Sequence, residues 1–316
     1  TLKSFRARRS RELIRWGATE ALVQGTVDDG DLRRELSLEI SPKGRRGRLD
    51  GKPPAQLRSY FDNIRAVLFA PEDTEIVREG PELRRAFLDR AAFTASASFL
   101  DIAQQFRRLL DQRSALLRAF PVDPLQLSIF DEHLARAGAQ LVQRRRRILG
   151  ELVAPFAELH QRISGHGEAS LRYRSSLPDT LDLDELGQAY LELLEKNRSS
   201  EIEQGRNLVG AQRDDLDLRL DGRSARSFAS QGQTRSLVLA LKLAELLAAR
   251  ERGAQPLFLL DDLSSELDRL RRGRLVELLS ELSLQVFVTT TDPSVVQAEG
   301  LSDVRVLRVE KGALIG

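Results

Sequence analysis

Leu257-Phe258-Leu259-Leu260-Asp261-Asp262 is the stretch on which the reading of this chain depends. Four apolar residues in a row, with no polar alternation, read as a strand covered on both faces, the kind found in parallel sheets. Ligands of open α/β sheets bind outside the carboxyl ends of the strands. A strand that runs straight into two carboxylates therefore delivers both to a binding edge. Asp261 is suited to hold Mg2+, directly or through water. Asp262 is suited to orient or deprotonate an attacking water. A strand followed by a polar turn looks the same in isolation, so the flanking sequence decides.

Upstream, Ser230-Gln231-Gly232-Gln233 stands just before Thr234, and Ser236 to Ala249 is apolar nearly all round, which predicts a buried helix. Glycine lets backbone come close to a phosphate. A helix N-terminus offers unpaired N–H groups and the positive end of a dipole, and a serine hydroxyl adds a donor. Downstream come Ser264-Ser265-Glu266-Leu267-Asp268, a helix over Arg271 to Leu282, a second buried strand Val286-Phe287-Val288, and Thr289-Thr290-Thr291-Asp292. This is the order of the signature, Walker B, D-loop and switch elements of ABC-class ATPases. On that pattern Ser230, Gln231, Gly232 and Gln233 face the γ-phosphate of an ATP held by the opposite subunit. Ser265, Glu266 and Asp268 lie on the loop that crosses the dimer interface, and Thr291 stands where many ABC proteins place a γ-phosphate-sensing His. Gln231 replaces the first of the signature's two glycines. A Ser/Gly helix cap explains those four residues alone, but not four motifs in the right order.

Further out, Ala21 to Val27 and Leu36 to Ile40 read as strands with Asp29-Gly30 as a turn, Ser41 to Pro54 as a polar basic loop, and Ile64 to Phe69 as a short apolar strand. From Pro81 the period becomes helical. Phe99 to Leu117 and Leu125 to Ile163 form a helical hairpin broken at Pro121 and Pro124, Leu171 and Tyr173 lie on a strand, and Asp184 to Gln204 is helical again. Leu216, Leu218 and Leu220 alternate into an Asp221-Gly222 hairpin turn, and Val304 to Val309 alternates as if to close the sheet. The fold class expected is α/β, an ABC-ATPase head of the Rad50- and SMC-like P-loop type with a mixed sheet and an inserted helical arm. Residues 1–84 and 206–316 would form the two parts of the head, and 85–205 the arm.

The 316 residues contain no cysteine, which excludes disulfides, Cys-ligated zinc and thiol nucleophiles. The three His (His133, His160, His166) have no metal-ligand spacing. No apolar run reaches the ~18 residues of a membrane span, and no signal peptide opens the chain, so a cytosolic location is expected. Hydrophobic residues at 41% and charged residues at 30% describe a packed, folded chain. Net charge is only +2, so a nucleic-acid reading rests on clustered Arg: Arg6, Arg8 and Arg9 near the start, and Arg45, Arg46 and Arg48 in the basic loop. Arg144 to Arg147 reads as a solvated helix face.

With the motifs placed, the chain resembles the RecF family along essentially its whole length. The resemblance rests on Ser230 to Arg235, Asp261 to Asp268, Phe69-Ala70-Pro71-Glu72-Asp73, Gly80 to Asp89, Ser4-Phe5-Arg6, and Val209 to Asp215, where the family has Pro-His in place of Ala211-Gln212. It implies an ATP- and Mg2+-dependent clamp that dimerises on ATP. Such a clamp binds double-stranded and gapped DNA at single-/double-strand junctions in the bacterial cytoplasm, associated with the nucleoid. Partners implied are RecR, RecO and the RecA recombinase. The family's P-loop, Gly-x-x-x-x-Gly-Lys-[Ser/Thr], is not in the sequence; Gly51-Lys52 is followed by Pro53 and does not supply it. Met is also absent at position 1, and the expectation is an N-terminally incomplete copy of an active protein, whose Mg2+ site would join Asp261 to a P-loop Ser/Thr. The alternative is a DNA-binding scaffold that does not hydrolyse ATP. The insert is far too short for the long coiled coil of an SMC protein.

Overall fold

Leu36, Leu38 and Ile40 alternate with polar residues, and this period of two sets one face of a small antiparallel sheet in the computed structural model, which describes residues 9–28, 32–55, 57–61, 64–262, 267–291 and 304–315. Strands β1 (Ala21–Asp28), β2 (Arg33–Ser41) and β3 (Gly44–Leu49) pair in that order, and helix α1 (Leu57–Phe61) follows. The segment expected to be a polar loop thus contains strand β3. Its Gly-Arg-Arg-Gly-Arg-Leu sequence has no apolar alternation to announce a strand. Pairing rests on the main-chain ladder to β2 and on Arg48 Nε, 2.8 Å from Glu39 Oε1. Gly47 makes room for Tyr60, whose ring would stand 3.0 Å from a Cβ at that position. The expected Asp29-Gly30 turn lies outside the described residues. These elements belong to one compact unit, Thr1–Arg65, and the remainder to a second, Ala66–Gly316.

The second unit runs β4 (Ala66–Phe69), α2 (Glu75–Arg78), α3 (Pro81–Ala95), α4 (Phe99–Leu117), α5 (Pro124–Ser164), β5 (Ala169–Arg174), α6 (Leu183–Gln204) and β6 (Asp215–Leu220). It continues with β7 (Arg223–Ser224), α7 (Ala225–Phe228), α8 (Gln231–Glu251), β8 (Leu257–Leu260), α9 (Arg269–Leu282), β9 (Val286–Val288), β10 (Arg308–Glu310) and β11 (Ala313–Ile315). The carboxylate-bearing strand β8 lies between β4 and β9, parallel to both, with Phe69, Leu260 and Val288 on one rung. A second sheet, β5-β6-β7, is antiparallel, and its turn at Asp221-Gly222 takes left-handed φ values of 51° and 72°, as a tight hairpin requires. Val304 to Val309 does not close the parallel sheet. β10 instead pairs with β11 through a turn at Lys311-Gly312, both with positive φ, in a hairpin of its own. Two-residue turns of this kind direct a strand back onto its sequence neighbour.

Helix α5 organises the helices. At 41 residues it is roughly 60 Å long. It starts on Asp123, whose side chain accepts from two backbone N–H groups, and stops at Gly165 in the left-handed region. It packs against α4 and α6 and against α8, which is buried on all sides as the apolar run predicts. An ionic cluster whose Arg113, Asp131 and Glu201 are fully buried ties α4, α5 and α6 together. Arg113 Nε lies 2.5 Å from Asp131 Oδ1 and Arg113 Nη2 lies 2.7 Å from Glu201 Oε2, while Arg198 reaches Asp131 Oδ2 at 2.7 Å. Glu201 Oε1 also accepts from the Leu208 N–H at 2.6 Å, which fixes the chain leaving α6. Among the described residues no helix is long and apolar enough to cross a membrane.

Candidate functional site

The parallel register places the end of β9 beside the end of β8. The Asp261 N–H donates to the Phe69 carbonyl on β4 at 2.9 Å, and the Thr289 N–H donates to the Leu260 carbonyl at 2.9 Å, so both neighbours grip the strand at the point where the carboxylates begin. The Thr289 hydroxyl donates to Asp261 Oδ1 at 2.7 Å and accepts from the Asp262 N–H at 2.9 Å. Asp262 leaves the strand with φ at 55°, in the left-handed region that Asp tolerates better than most side chains. Both carboxylate residues are half-buried. Asp261 is a hard oxygen donor of the kind Mg2+ takes, and Asp262 stands next to it at the same sheet edge. Thr291 is exposed two residues beyond Thr289. Thr289 itself was not singled out by motif, although strand register could have found it, since pairing Leu260 with Val288 sets the next residue of each strand side by side.

Ser230, Gln231, Gly232 and Gln233, read from sequence as a signature, start helix α8. Ser230 is its N-cap and accepts from the Gln233 N–H at 3.3 Å, while Gln233 Oε1 accepts from the Ser230 N–H at 2.8 Å. This reciprocal capping box gives Ser230 and Gln233 a local structural task as well. Gln231 is exposed. Gly232 lies against the guanidinium of Arg271, which would stand 2.5 Å from a Cβ at that position. Arg271 is in turn held by Asp268, the N-cap of α9, at 3.1 Å, and Asp268 also accepts from the Arg271 N–H. Gly232 and Asp268 are therefore joined through one side chain. Ser265 and Glu266 lie outside the described residues, as do Arg6 and Arg8.

No family model matches the chain. It is 40% identical over 317 residues to the DNA replication and repair protein RecF of Geobacter sulfurreducens, an alignment that covers 99% of this chain and 86% of that protein. The chain belongs to the RecF family. A RecF of Anaeromyxobacter is 42% identical over 320 residues, with 99% of this chain and 85% of the relative covered. The solved structure of the recombination mediator protein RecF with ATP, in the RecFOR pathway, superposes with a TM-score of 0.86 at 26% identity, covering 99% of this chain and 84% of that one. An SMC head domain from Pyrococcus yayanosii, at 13% identity and a TM-score of 0.52, shares the fold.

Three RecF-like segments quoted from the sequence prove to be parts of the scaffold behind these sites. Arg84 and Arg85 of the Gly80–Asp89 segment meet the Val209–Asp215 segment, and Asp89 is tied to it through Arg145. Arg84 binds both Asp215 oxygens at 2.7 and 3.0 Å, Arg85 donates to the Asp214 carbonyl at 2.7 Å, and Arg145 links both Asp89 oxygens to the Ala211 carbonyl. Asp73 of Phe69–Asp73 holds Lys242 Nζ at 2.8 Å, and the same ammonium donates to the Leu68 carbonyl on β4. Burial pushes the Lys242 ammonium down to about 8. The Arg144 to Arg147 run is a solvated face only in part, since Arg147 is exposed but Arg145 and Arg146 turn inward. Arg145 is buried, and Arg146 donates to the Leu177 and Thr180 carbonyls and lies 5.7 Å from the Tyr173 ring centre. Helical periodicity hides this, because an Arg clamp and an Arg on the surface occupy the sequence identically.

Of the basic residues picked for DNA, Arg45 alternates with Arg46 and Arg48 along β3 and so takes the opposite face. Arg46 is exposed across from Glu39, and Arg48 is paired with that same Glu39. Arg9 is exposed at the start of a short 3-10 turn, Ser10–Leu13.

Proposed function

We propose that this chain is the main part of a RecF-type, ATP-driven DNA clamp acting in recombinational repair of single-strand gaps. The observation that carries the proposal is the Asp261-Asp262-Thr289 cluster at the carboxyl end of a central parallel strand, in a chain that also caps a buried helix with Ser230 and Gln233 and places Gly232 in its first turn. Two copies would sandwich ATP. Asp261 would hold Mg2+, and Asp262 would position the attacking water. Bound Mg2+ supplies charge neutralisation at the phosphates. Ser230, Gln231, Gly232 and Gln233 would meet the γ-phosphate held by the other copy, next to Ser265, Glu266 and Asp268 at the interface, and Thr291 would sense it. Asp is shorter than the Glu usual at position 262, which suits slow turnover and a timed clamp. Arg9 and Arg46, with Arg6, Arg8, Arg45 and Arg48, are the residues assigned to DNA. RecR, with RecO and RecA, are the partners, in the bacterial cytoplasm at the nucleoid. The division into head (1–84 and 206–316) and arm (85–205) is part of the same proposal.

The test is Ser230→Arg in the natural protein. ATP should still bind each monomer, and ATP-dependent dimerisation, followed by sedimentation, should be abolished. A variant that dimerises normally with ATP removes the trans-signature assignment. A natural protein that binds DNA but does not hydrolyse ATP favours the scaffold reading instead.

A further inference from the structure

We infer that Thr289 is a positioning residue of this site, a side chain that bonds both carboxylate residues at once; the inference rests on the ATPase reading above and names a component that reading does not contain. A hydroxyl has one proton to give and lone pairs to receive with. Thr289 Oγ1 receives the Asp262 N–H at 2.9 Å, so its proton is available to Asp261 Oδ1 at 2.7 Å, and the direction of both bonds is settled. Each bond does a separate task. A carboxylate turns easily about its last torsion, and the bond to Oδ1 fixes the plane of the Asp261 carboxylate. The bond from the Asp262 N–H holds the left-handed turn, φ 55°, that takes Asp262 out of the strand's strict alternation and so sets where its side chain leaves the backbone.

The Thr289 main chain is itself anchored, through its N–H to the Leu260 carbonyl at 2.9 Å. Threonine is stiff about χ1, because two heavy atoms on Cβ leave few rotamers, so the hydroxyl is presented with little freedom. The arrangement also has a mechanical consequence. Thr289 is two residues before Thr291 on the same strand end, and displacement of that end moves the hydroxyl that both carboxylate residues share. The end of β8 is thus coupled to residues 289–291 through the Thr289 hydroxyl as well as through its main-chain bond to Leu260.

The experiment compares Thr289→Val, which keeps the shape and removes the hydroxyl, with Thr289→Ser, which keeps the hydroxyl, in the natural protein. Supporting groups behind metal ligands are worth roughly 10- to 100-fold in metal affinity or activity. Thr289→Val should lower kcat by about that factor and raise by a similar factor the Mg2+ concentration at which ATP-driven dimerisation is half complete. KM for ATP at saturating Mg2+ should stay within about twofold, and Thr289→Ser should recover both readouts. Thr289→Ala serves as the second hydroxyl-free variant if Thr289→Val folds poorly. A hydroxyl-free variant with the wild-type kcat and Mg2+ midpoint overturns the inference. So does one whose dimerisation fails equally at every Mg2+ concentration and is not restored by Ser, since that is a purely structural loss. If the wild-type protein needs Mg2+ and ATP to dimerise, either of these results removes Thr289 alone. If the wild-type protein responds to neither, the ATPase reading has failed and this inference with it.

Discussion

Arg113 has no exposed surface, and neither do Asp131 and Glu201, the two carboxylates it touches. Removing one partner of a buried pair leaves an uncompensated charge and typically costs about 3–5 kcal/mol, far more than an exposed pair contributes. Arg113→Met should therefore lower the unfolding free energy by about that amount in urea titration; a loss below about 1 kcal/mol would mean that Arg198 at Asp131 and the Leu208 and Val209 N–H groups at Glu201 suffice to hold the two carboxylates. His160 illustrates the opposite arrangement, a titratable group kept neutral. Burial pushes its imidazole down to about 4 from 6.5. Between those two values the unfolded chain binds a proton that the folded chain does not. Its contribution to stability is complete above about pH 6.5 and falls as pH drops toward 4, by up to about 3 kcal/mol. His160→Leu should flatten the stability profile across that window and leave the profile above pH 7 parallel to wild type. An unchanged slope from pH 4 to 6.5 would show that other groups govern acid unfolding.

At the scale of elements, helix α5 carries its own control experiment. A Cβ at Gly138 would overlap the Tyr190 ring on α6, whereas one at Gly150 meets nothing within 4 Å. Alanine favours a helix interior over glycine by about 1 kcal/mol. Gly150→Ala should thus raise the melting temperature. Gly138→Ala gains the same propensity but forces two packed helices apart, at about 1–3 kcal/mol, and should lower it. The opposite signs are the prediction, and calorimetry on the two variants decides it. Packing also explains the strand that the sequence did not announce. β3 has three Arg and two Gly in six residues, a composition that reads as loop. It is a strand because β2 offers a ladder edge and Tyr60 covers Gly47, and neither fact is local to residues 44–49.

At the scale of the whole molecule, charge is the property that the formal total of +2 conceals. The pI is about 9.1, yet many Arg are consumed internally, as Arg84, Arg113, Arg145 and Arg146 demonstrate. Counting basic residues therefore overstates what DNA can meet. On the proposed assignment, Arg46→Ala should make the salt dependence of duplex binding shallower by about 0.9 in log K against log salt, the change expected when one phosphate is no longer neutralised. Arg48→Ala should change it less, because Glu39 already neutralises that guanidinium at 2.8 Å. Equal slopes for wild type and Arg46→Ala, measured by fluorescence anisotropy over a salt series, would remove Arg46 from the interface.

The sequence by itself determined the elements whose signal is periodic or punctuated. These are the apolar strand before Asp261-Asp262, the all-round apolar helix α8, the helices broken at Pro121 and Pro124, and the Asp221-Gly222 turn. Burial on one face or all faces repeats with the geometry of the element, so neighbours in sequence carry the information. Only the tertiary structure decided which residues meet: Thr289 with Asp261, 28 positions apart, Arg145 with Asp89, 56 apart, and Arg84 with Asp215, 131 apart. Those pairings depend on strand register and on how helices cross, which no local pattern records. A polar side chain has the same letter in the chain whether it faces water or closes a buried network, and only the fold that surrounds it separates the two.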